Sequence, residues 1–388
     1  MTASAVAHTD VEDSVAAGHL LGEQLLTGLN GEQPDAVIVF AAPDYDAHSL
    51  LEALCSVCQP GVLTGCSSAG EFSSSDPHIN SAVAIALRSD EMTFKLAVGH
   101  RISVDPTAAA LALAKELTGT RSQVYAYHTA LLLADALAAN TDAIIEQLAI
   151  TTGGTYQFAG GGAGDNARFE HTPVFSGTSV LEDAVVALEI LSNKPIGIGV
   201  QHGWQPATPG LRVTEVEGSR IISINATPAA EVFREYAHST GQEFHSAEPM
   251  PFFLHNILGI DTYRGIKLRV PLRVHEDDSV SLAAPVPPGS VVRIMQTSSA
   301  SAADAAAGAV RAALHQLDGR APEIALFFDC VATRLRLGRD FGLELSSLQQ
   351  SLGNVHFAGC NTHGQVARAE GQFSGFHNCT AVVCVIPQ

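Results

Sequence analysis

Apolar runs separated by a helical-period stretch recur three times along the 388-residue chain, each time in the same order. The first set opens with the run 34–40, passes through a segment of helical period from His48 to Cys58, and continues as Gly61-Val62-Leu63 into a tight turn at Thr64 to Glu71. It returns as the run 81–87. The last set repeats this as 322–328, a helix-like stretch from Phe341 to Leu352, Val355-His356-Phe357, a turn at 358–365 and a closing run at 380–386. The middle set has 130–133, Thr141 to Ile150, Tyr156-Gln157-Phe158, a glycine cluster at 159–165 and the run 184–188. Each set predicts strand, helix, short strand, glycine turn and returning strand. The expected fold class is therefore α/β, with repeated units forming mixed sheets flanked by helices in two pseudo-symmetric domains. The units change character between Ile190 and Pro195. Boundaries are accordingly expected at 1–30 for an N-terminal helical segment, 31–192 for a first domain and 193–388 for a second.

The turns themselves are the first candidates for chemistry. Gly65-Cys66-Ser67-Ser68 and Gly359-Cys360-Asn361-Thr362-His363 share the Gly-Cys pair, short hydrogen-bonding side chains and a second glycine at equal spacing. Such turns at strand ends can aim backbone N–H groups into a concave nest that captures carboxylate or phosphate oxygens. The other reading is that strands must reverse there and small residues allow it. The middle turn, with Gly160, Gly162 and Asp165, is weaker on its own. Its glycines invite a dinucleotide-binding reading, which needs a helix directly after them. Here the chain leads into Pro173-Val174-Phe175, a strand, and the reading fails.

Other segments fill in the picture. Acidic residues before Ser14 suggest a capped helix ending by Gly31, and Asp105-Pro106 caps an Ala/Leu-rich helix reaching Leu117. Cys55 and Cys58 form a Cys-x-x-Cys at a helix C-terminal end, where neither zinc nor thioredoxin-type chemistry is expected. Ser73 to Pro77 is a turn tract. His202 and Trp204 close an apolar strand, and the indole could stack on a ligand. Cys330 and Arg334 follow another, where the guanidinium could fork onto a carboxylate or form an internal salt bridge. A cysteine-dependent enzyme would need an activated nucleophile; Cys360 with His363 three residues on comes nearest, without an evident third group.

Charge narrows the partners. Forty acidic residues against 21 basic ones give a net −19, which argues against nucleic acid and anionic lipid. No apolar run reaches the roughly 18 residues of a membrane span, and no signal peptide opens the chain, so a cytoplasmic location is expected. Seven scattered cysteines show no disulfide framework.

The succession His202-Gly203-Trp204, Val213-Thr214, Asn225-Ala226-Thr227-Pro228-Ala229 and Tyr236 resembles the FIST family, whose members combine a FIST N and a FIST C domain. The Gly65 to Glu71 turn, Phe328-Asp329-Cys330 with Arg334, Glu344 and His377-Asn378-Cys379-Thr380 carry the same resemblance, which spans about 34 to 386. The chain departs from the family pattern at Gln365, where Glu is usual, at Cys360 and His363, and at Asp135-Ala136, where Asp-Gly is commoner. The resemblance implies an intracellular sensory module that binds a small molecule, amino acids having been proposed, and signals to a separate partner such as a histidine kinase or a methyl-accepting protein. On that basis the ligand site is expected among the turn residues with His202, Trp204, Cys330, Arg334 and Asn378. Some members are reported to bind heme and sense nitric oxide. Here the histidines at 238, 245 and 255 flank the apolar Met250 to Leu254, and His238 is the candidate axial ligand by its position in the family.

Overall fold

The structure is a computed structural model that describes residues 1–74, 76–78, 80–138, 140–263, 265–369 and 374–388, without the side chains of 76 and 374. Among the described residues the chain forms four sheets, three of them on one plan. The first unit runs β1 (Thr2–Thr9), α1 (Ser14–Gly28), β2 (Ala36–Ala41), α2 (Ala47–Cys58), β3 (Val62–Ser67), the hairpin β4 (Glu71–Ser73) and β5 (Asp76–His78), and β6 (Ala82–Ser89). The second repeats this as β7 (Met92–His100), α3 (Pro106–Glu116), β8 (Tyr127–Ala134), α4 (Thr141–Thr151), β9 (Tyr156–Gly162), β10 (Val174–Ser176), β11 (Ser179–Leu181) and β12 (Ala184–Ser192). The third begins at β13 (Gly197–Gln201), and its helix is delayed by an insertion. In the insertion β14 (Gln205–Pro206), β15 (Leu211–Glu217), β16 (Arg220–Ile224), β17 (Thr227–Pro228), β18 (Ile257–Thr262), β19 (Gly265–Arg269), β20 (Pro271–Val274), β21 (Val280–Leu282) and β22 (Val291–Gln296) form the fourth, antiparallel sheet. Helices α5 (Ala229–Thr240) and α6 (Met250–Phe253) belong to it. The third unit then resumes with α7 (Ser299–Gln316), β23 (Pro322–Cys330), α8 (Val331–Leu337), α9 (Phe341–Leu352), β24 (His356–Thr362), β25 (Gln365–Arg368), β26 (Ser374–His377) and β27 (Ala381–Pro387).

The predicted repeat is therefore present, with a two-stranded hairpin added between each glycine turn and its returning strand. In the turn tract at 73–77, Ser75 lies outside the described residues, and its neighbours form the β4–β5 hairpin. Residues 2–9 add a strand to the expected N-terminal helix, pairing with β6 along its whole length. Helix starts follow local chemistry: the Asp13 and Asp105 carboxylates each accept from a backbone N–H three residues on, and Pro106 occupies the first turn of α3.

Strand order shows how the units are joined. The sheets read β1-β6-β2-β3-β10-β11, β7-β12-β8-β9-β25-β26 and β13-β27-β23-β24-β4-β5. In each, the second and third strands of a unit are parallel and the other pairings antiparallel. The last two strands always come from a different unit. The hairpin of the first unit completes the third sheet, that of the third completes the second, and that of the second completes the first.

Burial explains the apolar runs. One core takes Phe40, Ile85, Leu131, Leu188, Phe328 and Val382 from all three sheets, while α1 and α2, α3 and α4, and α7 and α9 cover their outer faces. Strands buried on both faces lose polar alternation. Register aligns the units residue by residue. Cys66 lies opposite Phe40, Cys360 opposite Phe328 and Gly161 opposite Leu133, each one position after a glycine: Gly65, Gly359 and Gly160.

Candidate functional site

The three glycine turns meet, and they bond to one another. Ala69 N donates to Asn361 O (2.9 Å) and Asn361 N to Gly70 O (2.7 Å). His363 N donates to Gly162 O (3.0 Å) and Gly162 N to Gly364 O (2.8 Å), while Gly164 N donates to Ser67 O (2.9 Å). Each turn thus closes on the next around a ring. Cys66, Ser68, Cys360, Asn361 and Thr362 are fully buried there. Gly65, Gly359 and Gly160 are glycine for a packing reason: an added Cβ would sit 2.0, 1.8 and 2.0 Å from the carbonyl oxygens of Val39, Phe327 and Leu132. Arg334 belongs to this ring as well, its Nη1 donating to Ala69 O (2.5 Å) and approaching Asn361 Oδ1 at 3.5 Å. Of the donors of the expected nest, Ser67 N, Ser68 N, Ala69 N, Asn361 N and His363 N are paired within the protein.

Side chains in the ring are also engaged. Asp165 accepts from the N–H groups of Phe169, Glu170 and His171 and lies 3.4 Å from His363 Nε2, and His363 stacks on Phe169 at 4.7 Å. Burial lowers the His363 imidazole from its ordinary value, against the pull of Asp165. Cys360 is held well above its ordinary value by burial and by Cys66 beside it. Cys360 thus faces Cys66 while His363 lies between Phe169 and Asp165, with both of its ring nitrogens buried and without a hydrogen-bond partner in the protein. Burial also raises Cys55, and raises Cys58 to about 12.

His202, Trp204 and Cys330 gather at a second place, under the insertion, with Cys379, the neighbour of Asn378 in the chain. Trp204 packs with Cys330 and Cys379, and the Arg336 guanidinium lies 5.5 Å above its ring. Asp329 and Glu344 line the same small chamber. Burial and the neighbouring Glu344 push Asp329 well above the carboxylate range, and burial pushes Glu344 up to about 8. The Cys330 thiol is brought down to about 6, chiefly by its hydrogen bond with Cys379. Glu344 Oε2, Arg336 Nε and Asn378 Oδ1 are buried without a hydrogen-bond partner in the protein. Asp329 and Glu344, positions that carried the family resemblance, converge here across the β23–β24 pair and α9.

This chamber sets a pH dependence. Glu344 in the folded protein keeps a proton that the unfolded chain releases above its ordinary 4.5, so stability falls as pH rises from there towards about 8. Urea unfolding is expected to give a lower midpoint at pH 8 than at pH 5, with a smaller drop in Glu344→Gln. Equal drops in both proteins would show that the carboxyl ionises freely.

The open cleft that the sequence reading missed lies between α4 and the fourth sheet. Its volume is about 1110 Å³, and Asp142, Glu146, Lys267, Arg269, Arg368 and His377 line it. Asp142 accepts from Lys267 Nζ (2.7 Å), Arg269 Nη2 (2.6 Å) and Phe376 N (2.9 Å), joining the second unit, the insertion and the hairpin of the third. Burial pushes the Asp142 carboxyl up, and Arg269 and Lys267 hold it below its ordinary value overall. Arg269 is almost fully buried and also donates to Pro285 O and Phe376 O. Burial brings the His377 imidazole down to about 3, so it is neutral. Lys267 and Arg269 alternate on β19 and so share one face. Two cations on one face of a strand are the signal that could have found the site.

The residues at the expected heme position do not fit that group. His238, His245 and His255 are exposed. The apolar residues beside them, Phe252 and Phe253, fill the insertion's core with Phe233 and Phe244.

Sequence comparison matches the FIST N domain to residues 35–227 and the FIST C domain to residues 229–368. The chain belongs to the FIST family. FIST domains form a sensory family linked to signal transduction, and in this FIST protein the α4–β19 cleft lies between residues of the two matched domains. No curated protein matches the chain. Among solved structures it is similar to cyanuric acid hydrolase from A. caulinodans, at 8% identity and a TM-score of 0.33, over 100% of this chain and 99% of that one. It is also similar to T. maritima PurL complexed with ADP, at 12% identity and a TM-score of 0.23, over 99% of this chain and 71% of that one. No helix among the described residues is long and apolar enough to cross a membrane.

Proposed function

We propose that this FIST protein is an intracellular sensor that binds a small organic carboxylate in the α4–β19 cleft and signals through a separate protein, such as a histidine kinase. One observation carries the reading: in a chain of net charge −19, the cleft wall holds three cations, Lys267, Arg269 and Arg368, against two carboxylates, Asp142 and Glu146. A local excess of positive charge in an acidic protein favours an anion there and repels one elsewhere. Position supports a sensing role, because Asp142 comes from the FIST N match and Lys267 and Arg269 from the FIST C match. A ligand bridging them would bear on the contact between the two. The turn ring, in this reading, is the hub that holds the units together rather than the ligand contact.

Thermal-shift screening against carboxylates, followed by calorimetry, tests the proposal. Lys267→Gln is expected to weaken binding at least about tenfold, the worth of one charge-assisted hydrogen bond. A hit whose affinity is the same in Lys267→Gln and in the parent protein would move the site elsewhere.

A further inference from the structure

The cleft has a second character besides its charge. Apolar side chains also line it: Ile145, Ile260 and Val286, which are buried, and Ala149, Ile150 and Pro287, which reach solvent. At its edge stand two of the chain's exposed large hydrophobic side chains, Ile150 at 67% and Tyr263 at 91% exposure. The cations stand among them: Lys267, across the β18–β19 ladder from Ile260, reaches Asp142, and Arg368 donates to Tyr156 O at 3.0 Å from β25. A cleft of about 1110 Å³ is slightly larger than those that take ligands of drug size, which are several times bulkier than a free amino acid. A free polar amino acid would leave Ile150, Tyr263 and Pro287 in water.

We infer that the ligand is an amphipathic carboxylate, its head at Lys267 and Arg368 and an acyl chain or aromatic body laid along α4 and the Pro285 to Pro288 segment. This rests on the carboxylate-sensor reading and narrows it. Two separate observations point the same way. Charge selects the head, since the cationic side of the cleft contrasts with an acidic chain. Exposed apolar surface selects the body, because water contact at Ile150, Tyr263 and Pro287 is unfavourable at roughly 25 cal/mol per Å² and a covering apolar group removes it. The geometry fits because Gly375 and Gly154 leave the cationic side open. An added Cβ at Gly375 would come within 2.8 Å of Lys267 Nζ, and one at Gly154 within 3.2 Å of Arg368 Nη2.

Calorimetry on the full chain with straight-chain saturated carboxylates of increasing length, kept below their aggregation concentrations, tests this beside glycine, leucine and glutamate. Affinity is expected to tighten about fourfold per added methylene until the wall is covered. The methyl ester of the best ligand should bind at least about tenfold more weakly, through loss of the charged head. Ile150→Glu, at an exposed position that leaves the unliganded melting temperature unchanged, should abolish the dependence on chain length. Binding of a free amino acid with no gain from added methylenes would overturn the amphipathic class and leave the carboxylate sensor standing. No binding of any carboxylate, short or long, would overturn both. Ester and acid of equal affinity would overturn the role of the cationic side alone and with it the head assignment made here.

Discussion

Gly359→Ala is expected to cost about 4 kcal/mol of stability, enough to leave many domains largely unfolded at 37 °C. The new methyl carbon would stand 1.8 Å from Phe327 O and 2.8 Å from the Phe72 ring, so either the β23–β24 pair or the incoming β4 strand has to move. Neither can yield cheaply. Phe327 is fully buried under α7 and α9, and Phe72 is locked among Phe327, Phe341 and Phe357. Gly65→Ala meets Val39 O at 2.0 Å and should behave alike. Gly342 provides the opposite sign. It sits in α9 with nothing within 4 Å of an added Cβ, so Gly342→Ala should gain about 0.5 kcal/mol from helix propensity. Urea midpoints of the three variants measure this, and a midpoint for Gly359→Ala close to that of the parent would refute the packing account.

The second large effect is expected at Asp142. Asp142→Ala should cost about 3 kcal/mol or more, because removing one partner of a buried ionic cluster leaves the others uncompensated. Arg269, 1% exposed, and Lys267, 18% exposed, would keep their charges without a carboxylate, and Phe376 N would lose its acceptor. The folded protein holds the Asp142 carboxyl below its ordinary 3.8, so its contribution is complete above that pH and disappears as pH falls through the lower folded value. An acid titration of stability should therefore be steeper in the parent than in Asp142→Asn below about pH 4. Parallel acid limbs would mean that the cluster adds nothing to folding.

How much of this was legible in the sequence depends on how local each signal is. The repeat was visible because Gly65-Cys66 and Gly359-Cys360 sit in matched flanks, and their register against Phe40 and Phe328 agrees. Runs such as Val37 to Phe40 and Ile324 to Phe328 could be recognised as strands since both of their faces are covered, by the shared core and by helices. The hairpins after the glycine turns were harder. Strands of three residues carry little pattern, and nothing in Glu71-Phe72-Ser73 names Ala358 to Cys360 as its partner. The cleft was invisible for a similar reason. Asp142 looks like an ordinary residue of a helix first turn and Lys267 like half of an alternating strand, and only the tertiary fold brings them to 2.7 Å. The histidines near Met250 show one pattern with two readings, since the apolar run that suggests a cofactor slot also packs into the core of the insertion.

The exchange of hairpins also dictates when the molecule can finish folding. The first sheet has all its strands once residue 181 has been made, because β10 and β11 follow within the same half of the chain. The third cannot close until β24 and β27 are available for strands made near its beginning, and β4 waits from residue 73 for a partner that starts at 356. The second waits for β26, which ends at 377. During synthesis two of the three sheets therefore carry unpaired edges until residues 356–377 have emerged, the condition in which long-range β pairing is slow and exposed strands associate with the wrong partner.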